Sequence, residues 1–168
     1  MMNVLITSDR EEINNAPPAT DLEPWRDIYG DIICPGDDCP WDCDDRCPVW
    51  LNTKGVNFIQ MKECDIAIQR FKKAVSIAPD FAEAYNNLGT AYGMTNQHRE
   101  AYNAFSEALK LQKEYPKALW GLIVSEKNLG MFEEALKHCD EYDAFPGCDS
   151  RLLREAIDNA GFKNTFYR

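Results

Sequence analysis

Apolar residues in the last two-thirds of this chain recur at helical spacing, and the helices themselves recur. From Pro48 to about Asp149 one arrangement of small and large apolar positions appears three times, 34 residues apart. The middle copy carries Tyr85, Leu88, Gly89 and Tyr92, then Ala101, Phe105 and Ala108. One period earlier, Gly55, Phe58, Ala67, Phe71, Ala74 and Pro79 fall in the same register. One period later stand Leu119, Leu122, Gly130, Phe132, Ala135 and Cys139. Apolar residues three and four apart mark one face of an amphipathic helix. Each copy therefore predicts two helices and a short turn: about 48–61 and 65–77, then 81–94 and 98–111, then 116–129 and 132–142. Pro48 suits a first helical turn, where its missing N–H costs nothing. Pro79 and Pro116 fall at the junctions between copies, and Gly130 fits a helix end. After a loop at 145–150 with an N-cap candidate, Leu152, Leu153, Ala156, Ile157 and Ala160 predict a last helix over about 150–161, with Gly161 as its stop.

The slots have a packing logic. Gly55, Gly89, Ala67, Ala101 and Ala135 are small where two helix backbones must approach closely, and Phe58, Tyr92, Phe71 and Phe105 fill the space beside them. The third copy departs from this pattern: Ile123 replaces the small residue, Glu126 the aromatic and Tyr142 the second alanine. A looser junction is expected there. A helix–turn–helix of this kind cannot bury its apolar face alone, so copies must stack.

These positions resemble the tetratricopeptide repeat family. The resemblance covers about 100 residues and is specific, because three copies keep one period. It implies an all-α, right-handed α-solenoid: repeats at about 48–81, 82–115 and 116–149, and a capping helix at about 150–161, within a domain of residues 48–168. It also implies a protein–protein interaction module that holds a peptide or protein on its concave face.

In that family, ligands lie along the inner faces of the first helices. The inward slots here are Asn52, Thr53, Val56, Ile59 and Gln60 in the first copy. In the second they are Glu83, Asn86, Asn87, Thr90, Gly93 and Met94. In the third they are Lys117, Trp120, Gly121, Val124, Lys127 and Asn128. Of these, Asn52, Val56, Asn86, Asn87, Thr90, Lys117, Trp120, Val124 and Lys127 form the candidate peptide-binding groove. Amide side chains offer a peptide backbone both donor and acceptor. Trp120 is a large aromatic of the kind that anchors partners; its alternative is to pack under the terminal helix or the N-terminal segment. Some family members hold the C-terminal carboxylate of chaperones with a clamp of Lys and Asn residues. Only Asn87 and Lys117 match it. Asn52, Val56 and Gly121 stand where the clamp has Lys, Asn and a basic residue, so a chaperone co-receptor is not expected.

Charge separates the chain into two parts. Residues 1–47 hold 12 acidic and 3 basic residues, a net of −9, and the remaining 16 acidic and 15 basic residues give the repeats a net of −1. An acidic chain without a basic stripe argues against nucleic acid and anionic membrane surfaces as partners. No run of 18 apolar residues occurs, so no transmembrane helix is expected. The first residues lack the basic start of a signal peptide, which makes the cytoplasm the expected location.

The acidic segment also carries Cys34, Cys39, Cys43 and Cys47. Four thiolates would complete the tetrahedral shell of a structural zinc ion or hold an iron–sulfur cluster. Five aspartates within the cluster oppose the metal by adding negative charge, and disulfides or free thiols remain open. A metal- or redox-responsive protein is thus the alternative to a binding module. Because Cys47 adjoins the first helix, this segment is expected to cap the first repeat, with Trp25, Trp41 and Trp50 supplying apolar area. No enzyme is expected. His138 and Cys139 are adjacent and so face different directions on a helix, and Cys139 occupies the core slot of Phe71 and Phe105.

Overall fold

A computed structural model describes residues 46–166 of the protein, with side chains through residue 161. The expectations for Cys34, Cys39, Cys43, Trp25 and Trp41 lie outside these residues. Seven helices follow in order: α1 Pro48–Gln60, α2 Cys64–Ile77, α3 Ala82–Met94, α4 His98–Leu111, α5 Pro116–Leu129, α6 Phe132–Asp143 and α7 Arg151–Phe166. Among the described residues there is no strand. Helices α1, α3 and α5 open the three repeats and α2, α4 and α6 close them. Each helix packs on the next, and α1, α3 and α5 also touch one another in series. This makes an all-α solenoid.

One turn is used three times. Lys62, Asn96 and Gly130 have φ of 64°, 59° and 80°, and they sit one period apart. After each, the next N–H reaches back to close the helix: Glu63 N to Phe58 O, Gln97 N to Tyr92 O and Met131 N to Glu126 O, all at 2.9 Å. This six-to-one bond with a left-handed residue inside it is the Schellman stop. Its repetition fixes the angle at which each second helix leaves the first.

Close approach then sets the distance. A Cβ on Gly55 would lie 2.5 Å from the Phe71 ring, and one on Gly89 would lie 2.9 Å from Phe105. Phe71 is wholly buried and Phe105 nearly so. In the third repeat the bulk is exchanged. Ile123 stands where glycine was, Cys139 stands where phenylalanine was, and both are fully buried. Burial pushes the Cys139 thiol pKa up, which keeps it a small apolar filler. The expected looser junction is present: α5 and α6 pack less extensively than the helix pairs of the first two repeats.

The two ends of the described array are built differently. At the start, Cys47 caps α1, its Sγ accepting the Trp50 N–H at 3.5 Å. Leu51, Ala74, Ala78, Phe81 and Ala84 form a small core of their own there, with Trp50 packed against it. At the far end α7 buries Leu153 and Ile157. Buried Ser150 ties it down by donating its N–H and hydroxyl to Asp143 at 2.7 and 2.8 Å. Arg154 completes the tie, donating to Ser150, Asp140 and Asp143. The expected stop at Gly161 is not there, since α7 runs on to Phe166. A glycine inside a helix weakens it by about 1 kcal/mol but ends it only if the backbone turns left-handed, and Gly161 is not among the positive-φ residues.

Lys62 and Gly130 occupy equivalent turns with opposite chemistry. A side chain in the left-handed region costs about 1–2 kcal/mol. Lys62→Gly should therefore raise the unfolding free energy by about 0.5–1 kcal/mol, and Gly130→Ala should lower it by about 1 kcal/mol. Urea denaturation followed by circular dichroism measures both.

Candidate functional site

The first helices of the repeats present a shared face. Along it an amide ladder joins α1 to α3. Asn86 Nδ2 donates to Asn87 Oδ1 at 3.3 Å, Asn87 Nδ2 to Asn52 Oδ1 at 2.9 Å, and Asn52 Nδ2 to Glu83 Oε1 at 3.2 Å. Asn52 and Asn86 are buried, at 4% and 8% exposure. Asn52 bridges the first two repeats through Asn87 and Glu83, Asn86 supports Asn87 within α3, and half-buried Asn87 keeps an edge toward solvent. Sequence reasoning placed all three on one face but did not reveal that they bond to each other. An asparagine side chain has more bonding capacity than the ladder consumes.

The rest of the face is more open. Thr90 and Lys117 are exposed, Val56, Val124 and Lys127 are half-buried, and the Thr90 hydroxyl is donated to the Asn86 carbonyl at 3.0 Å. No ion pair engages Lys117 or Lys127 among the described residues. Trp120 is 37% exposed. Its ring centroid lies 5.2 Å from that of Tyr142, with the planes tilted by 51°. Tyr142 occupies an alanine slot, and its ring braces Trp120 from behind α5. Tilted aromatic pairs of this spacing are favourable, so the indole is held in place while part of it stays in water.

Gly121 explains a departure from the carboxylate clamp. A Cβ there would lie 2.3 Å from the Phe105 ring. A basic side chain in that slot cannot be accommodated without moving a core phenylalanine.

Behind α5 lies a second polar pair. Glu126 is 1% exposed, and its Oε2 lies 2.9 Å from His138 Nδ1. Its Oε1 has no hydrogen-bond partner. The hydrogen bond that His138 donates to Glu126 raises the His138 pKa from its usual 6.5; burial opposes this, and the negative charges of Glu126, Glu141 and Glu134 add to the rise. Sequence reasoning noted Glu126 only as a missing aromatic and treated His138 only in setting it apart from Cys139. The signal that would have found the pair is joint substitution: Tyr92 and Ala104 become Glu126 and His138 one period later.

No three His, Cys, Asp or Glu side chains cluster as a metal site among the described residues. Of the four clustered cysteines only Cys47 is described, wholly buried at the start of α1. No helix among them is long and apolar enough to cross a membrane.

Residues 57–96 match a family model for the TPR repeat, and residues 82–115 match one for the tetratricopeptide repeat. Residues 57–115 of this chain are tetratricopeptide repeats. The peroxisomal targeting signal receptor of Candida albicans is 39% identical to the chain over 84 residues, covering 50% of this chain and 14% of the receptor. The chain thus spans about one-seventh of the length of that relative. Among solved structures, the first TPR domain of human RPAP3 superposes with a TM-score of 0.67 at 20% identity, covering 74% of this chain and 100% of that one. The first TPR of Spaghetti (RPAP3) bound to the HSP90 peptide SRMEEVD gives 0.60 at 21% identity, covering 73% and 94%. At these identities the structures establish the shared fold.

The Glu126–His138 pair gives the TPR array a pH dependence. Folding raises the imidazole's proton affinity. Its contribution to stability is complete below the unfolded pKa and is lost as pH rises through the folded one. The wild type should therefore lose stability relative to His138→Gln as pH rises above the usual imidazole range, and Glu126→Gln should abolish the same slope. Melting temperatures across that pH range provide the check.

Proposed function

We propose that this TPR domain is a protein-interaction module that binds an extended peptide segment along α3 and α5. The observation that carries this reading is Trp120: braced by Tyr142, partly exposed and adjacent to Lys117 on the same helix. A preorganised aromatic beside an unpaired cation suits a peptide with an apolar side chain and a nearby carboxylate. Asn87 and Thr90 supply backbone-directed polar groups next to it. The Spaghetti structure, a TPR of the same fold holding an HSP90 peptide, supports a peptide as the class of ligand. A full carboxylate clamp is not part of the proposal, because Gly121 has no room for its basic residue. No catalytic role is assigned. We place the protein in a reducing compartment such as the cytoplasm, in keeping with the free thiols of Cys64, Cys139 and Cys148.

Selection from a random peptide library displayed with free C-termini tests this. Wild-type protein should enrich sequences pairing an apolar residue with an acidic group. The selected peptides should bind at least tenfold more weakly to Trp120→Ala and to Lys117→Glu, a loss of about 1.4 kcal/mol. Equal affinity for both variants defeats the groove reading.

A metal-bound N-terminal segment is the second reading, and one feature favours it. The Cys47 sulfur accepts an N–H at a helix N-terminus, a position that stabilises thiolate. With Cys34, Cys39 and Cys43 it would offer zinc four sulfur ligands, and the metal would serve structure, not reaction. Protein purified without chelator should then carry about one equivalent of zinc, lost in Cys47→Ser. An absorption band near 400 nm would instead mark an iron–sulfur cluster. Metal-free protein with these thiols titratable rejects both.

A further inference from the structure

The inward slots of the array carry their charges unevenly. Both cations, Lys117 and Lys127, belong to α5, the single acid, Glu83, belongs to α3, and α1 contributes no charge. Glu83 and Lys117 hold the same slot one period apart. Opposite charges therefore stand at corresponding points of neighbouring helices. Helices α3 and α5 touch, and packed helices have axes about 8–10 Å apart.

Bonding shows that Glu83 faces the groove. Its Oε1 accepts the Asn52 Nδ2 proton at 3.2 Å, at the end of the amide ladder. A carboxylate can accept about four hydrogen bonds, and Glu83 is exposed, so it has capacity left for a ligand. Its charge also reaches the start of α5: burial first, and then Glu83, raise the pKa of the Tyr115 phenol. Tyr115 is the N-cap of α5, two residues before Lys117. Lys117 is exposed as well. Neither Glu83 nor Lys117 is in an ion pair among the described residues, so neither charge is spent on the other.

We propose that the groove recognises a dipolar motif within a chain: an acidic side chain on Lys117 and a lysine or arginine about three residues away on Glu83. This rests on the peptide-groove reading and adds that the partner carries both signs of charge. The spacing follows because an extended chain covers about 3.3–3.6 Å per residue. The acid is a side chain and not a chain end, since the several donors that hold a chain end are missing and Gly121 has no room for one of them. Charge complementarity of this kind selects partner and register more than it adds affinity. A wholly acidic segment is rejected because its second carboxylate meets Glu83.

Acetylated and amidated peptides, which carry no end charges, probe the motif by fluorescence anisotropy with the full chain. Each holds a leucine next to a glutamate, and an arginine, a glutamine or a second glutamate is walked along the positions on either side. With the substitution about three residues from the glutamate, arginine should bind about fivefold more tightly than glutamine, and a second glutamate should bind more weakly than either. Glu83→Gln keeps an acceptor for Asn52 and removes only the charge. It should abolish the arginine preference and leave the glutamine peptide unchanged. Glu83→Lys should reverse the preference toward the second glutamate. The dipolar motif is overturned if the wild type shows no arginine preference, if that preference persists in Glu83→Gln, or if no peptide of the set binds. Where peptides bind without the preference yet weaken in Trp120→Ala and Lys117→Glu, the groove reading stands and only the dipolar motif falls.

Discussion

The distance between helix backbones is set by two phenylalanine rings, and the rest of the array follows from it. Phe71 lies against Gly55, and Phe105 lies against both Gly89 and Gly121, at separations that leave no room for a methyl group. Each ring comes from a second helix and presses on a first helix. Phe105 presses on two of them, so it couples one repeat to the next. Because interiors are close-packed, this coupling is rigid. It holds α3 and α5 together and denies Gly121 a side chain, while Asn52 joins α1 to α3 through Asn87 and Glu83.

The third repeat is where that arrangement changes and where chemistry gathers. Exchanging glycine and phenylalanine for Ile123 and Cys139 keeps volume in the core but gives up the ring that drew the earlier helices together. Volume-conserving swaps of this kind are tolerated. The looser α5–α6 pair then accommodates Tyr142 in an alanine slot, which braces Trp120 on one side of α5. On the other side it accommodates His138 against buried Glu126. Breaking a buried pair leaves an uncompensated charge, so the two residues stand or fall together.

The two ends of the array are built differently. A stacked array has an open apolar face at each terminus. At the far end α7 covers it and is fastened by Ser150, Asp143 and Arg154. At the near end Cys47 caps α1, and Trp50 packs on a small core that Leu51, Ala74 and Ala78 share with Phe81 and Ala84 of the next repeat.

Periodicity alone determined the helices, the three repeats, the small and large slots and the face that looks outward, because these follow from a 3.6-residue turn and a 34-residue period. Gly130 was readable as a helix stop from its residue type. Lys62 and Asn96 were not, since only the closing hydrogen bonds reveal that their backbones turn left-handed. Tertiary structure also decided which groove residues are spent internally. Asn52, Asn86 and Trp120 share a periodic face, yet the two amides are buried in a ladder and the indole stands partly in water. Side chains one or more periods apart meet only when helices pack, and a pair such as Glu126 and His138 has no local signature. Local pattern fixes which way a residue points, and packing fixes what it meets.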